Sequence, residues 1–218
     1  MARARYPPAV SDPVAALAAQ HLRDADPTMA DLVERYGLID RDARRRGRSA
    51  DPFGVLVQAI IGQQVSVAAA RSVRGRLEAH FGAWPPPPSA LASASDEALR
   101  SCGLSRQKAG YARDLAGRVD TGSLVLDALE RHDDAEVTNA LTAVKGIGIW
   151  TADMFLIFHL ERPDVLPVGD LGVRRAVERA YGVPGLSPAR LAEIAEPWRP
   201  YRSIASLYLW ESLDSAPA

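Results

Sequence analysis

The chain has one cysteine, Cys102, among 218 residues. It can form no internal disulfide, and no set of thiolates is available for zinc or an iron–sulfur cluster. A reducing compartment is expected. Lysine is almost as scarce: of 26 basic residues only Lys108 and Lys145 are not arginine. The planar guanidinium suits phosphate, although a coding bias that also enriches Ala and Pro explains the arginines equally simply. Net charge is nearly absent, at −1. That excludes the broad cationic surface of a sequence-blind nucleic-acid binder but not a local basic patch. No apolar run approaches the roughly 18 residues of a membrane span. The start, Met1-Ala2-Arg3-Ala4-Arg5, leads into no apolar stretch of secretory kind. A cytoplasmic protein with no membrane partner is expected. Strand-like alternation is missing too, and Ala, Leu, Arg and Glu dominate, so the chain reads as all-α.

Helix signals divide the chain. Ser11 or Asp12, followed by Pro13, starts a helix to about residue 23. Asp26-Pro27 starts a second, which ends near Gly37. Arg41, Arg44, Arg45, Arg46 and Arg48 fall in a polar connector that is either a solvated loop or a phosphate contact. Asp51-Pro52 opens the longest helical stretch, 52–81. It is interrupted by Gly62-Gln63-Gln64-Val65-Ser66. A glycine and two amides inside an apolar helix break the local pattern, and such breaks tend to mark sites. A plain helix–helix break with satisfied glutamines is the alternative. Pro85–Pro88 form a stiff connector. Helices follow at about 95–101, 105–119, 123–131, 134–143 and 149–160. Three more begin near residues 170, 187 and 200.

The most informative segment is Lys145-Gly146-Ile147-Gly148-Ile149-Trp150-Thr151-Ala152, followed by Asp170. Gly-Ile-Gly between two apolar helices is a tight hairpin, in which each glycine removes a Cβ where the chain turns or approaches another surface. The helix that opens near Ile149 aims unpaired N–H groups outward. A helix start fronted by glycines can seat a phosphate. Asp170 sits in the loop Pro167-Val168-Gly169-Asp170, where it also fits the cap of the next helix.

Together, Ile60-Ile61-Gly62-Gln63-Gln64-Val65-Ser66, the Gly-Ile-Gly-Ile-Trp-Thr-Ala hairpin and Asp170 resemble the helix-hairpin-helix DNA glycosylases, most of all their 3-methyladenine glycosylase II branch. The resemblance covers about residues 50–215. It suggests a compact form without the N-terminal α/β domain of larger relatives. It implies two helical lobes flanking a cleft, about 50–165 and 1–49 plus 166–218. It also implies a monomer acting near the bacterial nucleoid on double-stranded DNA with alkylated bases. The damaged nucleotide would be flipped out of the stack.

The resemblance also assigns roles. Asp170 would be the catalytic carboxylate, placed to stabilise the cation that develops at C1′ as the N-glycosidic bond breaks. Its N-cap position would hold it rigid. Trp150 and Trp210 would line the base pocket and offer aromatic faces to a cationic base, although Trp210 read alone is as well explained as core. Gln64 would fill the gap left by the flipped base, a place where several relatives carry leucine. Gln63, Lys145, Gly146, Gly148 and Thr151 would contact DNA. Main-chain carbonyls of Thr142, Val144 and Gly146 would suit a monovalent cation, with no cofactor otherwise required. Relatives that cut the strand carry a lysine two positions after the second hairpin glycine. Here that position is Trp150, so a monofunctional hydrolase is expected. The competing reading is a non-catalytic helix-hairpin-helix module, which would need neither Asp170 nor cleft-facing tryptophans.

Overall fold

A computed structural model describes residues 12–41 and 49–214. Ser11 and the arginines at 44, 45, 46 and 48 lie outside the described residues. Within them every regular element is helical. The chain divides into two compact units, Met1–Arg46 with Glu161–Ala218, and Gly47–Leu160.

The first unit begins with α1 (Pro13–Ala25) and α2 (Pro27–Tyr36). Both use an Asp-Pro start: Asp12 accepts from Val14 N at 3.0 Å and Asp26 from Thr28 N at 2.8 Å. The proline at the first helical position sacrifices no hydrogen bond, because that N–H has no partner within the helix. The second unit holds α3 (Pro52–Gly62), α4 (Val67–Phe81), α5 (Pro88–Ser93), α6 (Asp96–Ser101) and α7 (Arg106–Asp120). A 3₁₀ turn over Leu126–Arg131 leads to α8 (Asp134–Thr142) and α9 (Ile149–Phe158). The chain then returns to the first unit with α10 (Leu171–Tyr181), α11 (Pro188–Ile194) and α12 (Arg202–Asp214).

Sequence reading differs from this order in two places. The last of the four prolines is the first residue of α5 rather than part of a connector. The expected helix at 123–131 is the 3₁₀ turn, shortened because Gly122 takes φ +72 and Val125 is extended.

The core of the first unit gathers Leu22, Met29, Val173, Val177, Trp198 and Tyr208. Asp26 lies within it and accepts from Tyr181 Oη at 2.7 Å and Trp198 Nε1 at 3.0 Å. α12 packs on α2 and α10. Arg41 joins the two chain segments of this unit through Asp12 and Glu161. In the second unit Leu56, Ile60, Leu77, Leu91, Leu115 and Phe155 form the core. There α3 packs on α4 and α7, and α8 on α9.

The two hairpin glycines do different work. Gly146 has φ +81, and a Cβ on it would run into the ring of Tyr111 from α7. Gly148 has φ −100, open to any residue, and nothing lies within 4 Å of the Cβ it lacks. Gly146→Ala should therefore destabilise the protein by about 3 kcal/mol, the sum of a left-handed backbone penalty and overpacking. Gly148→Ala should leave stability within about 0.5 kcal/mol. Urea unfolding of both variants checks this; equal losses would contradict the division.

Candidate functional site

The hairpin of the second unit is built inward. Val144 and Ile147 are buried, and Ile147 N bonds Val144 O at 3.1 Å. The Lys145 N–H also turns inward, to Asp114 Oδ2 at 2.9 Å, while Arg118 Nε reaches the same oxygen at 3.0 Å. Burial alone would raise the Asp114 carboxyl, but these donors outweigh it and hold it below its ordinary value. The Lys145 side chain is exposed. Beyond the turn, α9 starts at Gly148 with no side-chain cap. The two longer helices of this unit, α4 and α7, are capped by Ser66 and Ser105. The positive end of α9 thus opens beside Ile149 and Trp150, which are 64% and 50% exposed. Thr151 is buried, so its expected contact would have to come from the backbone rather than the hydroxyl.

Two of the three carbonyls expected for a cation are engaged within the protein. Gly146 O accepts from Gln63 Nε2 at 2.7 Å, and Val144 O from Ile147 N. Each would have only its second lone pair to give, and that of Gly146 lies beside an N–H donor. The fit to a cation is incomplete.

The break between α3 and α4 is the second feature of this unit. Gln64 takes φ +55, rare for a residue with a side chain, and its side chain is exposed. It borders a hollow of about 510 Å³ that Ser72, Val73, Arg76 and Lys108 also line. Gln63 is half-buried, and its amide donates to the hairpin carbonyl of Gly146. Lys108 Nζ donates to Ile61 O at 2.7 Å, at the end of α3. Burial lowers the pKa of this amine below its ordinary value.

In the first unit Asp170 caps α10. Its Oδ1 accepts from Val173 N at 2.8 Å and from Trp210 Nε1 at 2.9 Å. Asp170 is buried, at 8% exposure. Two donors on one oxygen, from α10 and α12, fix the carboxylate in place. Trp210 is half-buried and its indole N–H is spent on Asp170, so it is neither plain core nor simply a wall of a base pocket. Sequence reading missed Gly172. A Cβ there would stand 3.0 Å from Asp170 Oδ1 and 3.1 Å from Trp210 Nε1. The clue was a helix-weakening glycine one turn or less from the acid.

Exposed large apolar side chains single out the same places. Val65 and Val67 flank the Gln64 turn, Ile149 and Trp150 open α9, and Leu171 follows Asp170. Four of the eight such residues directly adjoin an expected site residue, and Val67 lies three positions beyond Gln64.

The HhH-GPD superfamily of base excision DNA repair proteins matches residues 57–200 of this sequence. The chain belongs to that superfamily. Within the superfamily it is similar to a DNA-3-methyladenine glycosidase from Bacillus halodurans, at 35% identity and TM-score 0.81, covering 91% of this chain and 89% of that one. It is also similar to Mag1 of Schizosaccharomyces pombe, a 3-methyladenine DNA glycosylase solved in complex with abasic DNA. There the identity is 29% and the TM-score 0.77, over 92% of this chain and 98% of that one. The putative DNA-3-methyladenine glycosylase YfjP of Bacillus subtilis is 31% identical over 170 residues, which are 74% of this chain and 59% of YfjP. The chain therefore spans under two thirds of that relative.

One further acid stands out. Asp153, one turn beyond Trp150 in α9, is buried, and burial pushes its carboxyl from 3.8 up to about 6. A folded state that holds its proton more tightly gains stability at low pH. Stability then falls as pH rises from near 4 through 6, by about 2–3 kcal/mol in all. Asp153→Asn should remove most of that fall and raise the urea midpoint at pH 8. Gly172→Ala should lengthen the Trp210–Asp170 bond and slow any reaction that uses Asp170 about 10-fold, the worth of one charged hydrogen bond. Its thermal midpoint should stay near that of wild type. An unchanged rate would detach the indole from the chemistry.

Proposed function

We propose that this protein is a monofunctional DNA glycosylase that excises alkylated bases of the 3-methyladenine and 7-methylguanine type, acting as a monomer on double-stranded DNA at the nucleoid. The observation that carries the reading is Asp170, a buried carboxylate pinned through Oδ1 by Val173 N and Trp210 Nε1. A module that only grips DNA has no use for it. The DNA complex of Mag1 and the glycosylase names of the relatives support DNA as the partner. No helix among the described residues is long and apolar enough to cross a membrane.

In the proposed mechanism the open start of α9 and the exposed Lys145 hold phosphate near the lesion. Gln64 enters the stack as the nucleotide leaves it, and the base meets the face of Trp150. The C1′–N bond breaks and its electron pair departs with the base. An alkylated purine of this class is already cationic in the nucleotide, so it leaves as a neutral molecule without a general acid. The Asp170 carboxylate stabilises the positive sugar and orients a water, whose oxygen bonds to C1′ as its proton passes to the carboxylate. The products are free base and an abasic strand.

Asp170→Asn keeps the size of the cap and should cut single-turnover base release by at least ~10²-fold, the scale for losing one electrostatic stabiliser, with DNA affinity retained. Release from duplexes carrying one defined lesion measures it, and near-normal release would overturn the role. Because Trp150 holds the lyase position, borohydride should trap no protein–DNA adduct. A trapped adduct would point to Lys145 as the first suspect and end the monofunctional reading.

A further inference from the structure

Within the second unit the chain leading into Gln64 is tied at two points. At one, Gln63 Nε2 donates to Gly146 O across 2.7 Å. At the other, Lys108 Nζ from α7 donates to Ile61 O at 2.7 Å. Ile61 belongs to the last turn of α3, where carbonyls lack partners within the helix. A cation there also meets the negative end of the helix. Gln64 follows directly after both ties at φ +55, a conformation that persists only where its surroundings impose it.

We propose that Gln63 and Lys108 are positioning residues that hold Gln64 ready for insertion and couple its movement to the hairpin. This rests on the reading of Gln64 as the side chain that fills the stack. Gly146 is the rigid partner of the first tie, since its φ of +81 and its packing on Tyr111 leave it little freedom. The carbonyl that receives the Gln63 amide lies two residues before Gly148, where phosphate would approach. A hairpin seated on phosphate therefore fixes the height of the turn against the duplex. Stacked bases that resist Gln64 push against α3 and the hairpin together rather than against a loose loop. The lysine matters for the same reason. It is one of only two in the chain, and the structure commits it to a carbonyl inside the protein.

The test uses the whole chain and a duplex with a tetrahydrofuran abasic site opposite 2-aminopurine. Insertion is read there as a fluorescence change without any reaction. Anisotropy on an undamaged duplex reads the hairpin grip, and single-turnover release from a 7-methylguanine duplex reads chemistry. Gln63→Leu keeps the bulk and loses the donor. It should reduce the insertion signal and the release rate about 5- to 10-fold, while affinity for undamaged duplex stays within about twofold. Lys108→Met should act in the same direction through the second tie, with Lys108→Arg restoring at least half of the signal. In a Gln64→Ala background, Gln63→Leu should add less than about twofold, because a residue acting through Gln64 has nothing left to position.

Equal loss of affinity for all DNA with insertion intact would overturn the proposal, and so would full additivity of Gln63→Leu with Gln64→Ala. If Gln63→Leu unfolds, the Lys108 pair decides by the same criteria. A wild-type protein that inserts but releases no methylated base removes the proposed activity and leaves this coupling standing. A wild type that does not insert removes the coupling.

Discussion

A hydrogen bond from the Trp210 indole to Asp170 organises the site half of the first unit. It joins the start of α10 to α12 at 2.9 Å, and the surrounding sequence is arranged to permit it. Gly172 leaves room for the indole, since any Cβ there would crowd both partners. The Pro167–Asp170 turn is closed by Asp170 N on Pro167 O at 2.9 Å, so the acid arrives at its cap from a fixed direction. Asp26 in the same unit provides the contrast. It too caps a helix after a turn and accepts an indole N–H, from Trp198, but it also takes the Tyr181 hydroxyl. That carboxylate is surrounded by core residues and serves the fold. Asp170 uses the same chemistry next to Leu171, which is 56% exposed. The two acids are equally buried, at 8%, and differ in their neighbours: Asp26 takes a hydroxyl and an indole from the core, and Asp170 lies beside an exposed leucine.

The hairpin follows a similar economy. Its interior is closed by Asp114, which takes the Lys145 N–H, and by Tyr111, which fills the space beside Gly146. Its exterior is left without a side-chain cap, and Gly148 adds no side chain where nothing of the protein is near. A glycine that the backbone does not require, beside an uncapped helix start, leaves space for something outside the protein. The geometry separates that glycine from its structural neighbour two residues earlier, a distinction invisible in the letters Gly-Ile-Gly.

Much of this was legible in the sequence because the signals were local. Asp-Pro pairs, serine caps and helical apolar spacing set most helix starts within a residue or two. Gly62-Gln63-Gln64 announced a break that the structure places between Gly62 and Val67. The all-α class and the superfamily followed from the same short stretches. What escaped depended on contacts distant in the chain. Nothing near Gln63 in the sequence announced that its amide donates to a carbonyl 83 residues away. Trp210 could not be told from core until its N–H met an acid 40 residues earlier. Gly172 had no reading without the indole above it. Asp153 passed as an ordinary polar residue, since its burial arises from packing around α9 and not from its neighbours in sequence.

The arginines complete the argument about charge. Their number suggested a reserve of phosphate-binding groups, yet many are used within the protein. Arg41 pairs with Asp12 and Glu161, Arg118 with Asp114, and Arg202 with Asp164. Arg76 and Arg174 donate to the carbonyls of Cys102 and Leu186, next to turns. The Arg41 and Arg202 side chains are only 14% and 16% exposed, and all of these contacts occupy guanidinium groups that a broad basic surface would need. With the charge balance at −1, the contact with DNA falls to a few fixed groups. Under the proposed function these are the open end of α9, the exposed side chain of Lys145 and the apolar residues around Gln64. Such an interface holds phosphate at few points and depends on shape at the lesion. Under the proposed function its specificity comes from how readily a damaged base leaves the stack.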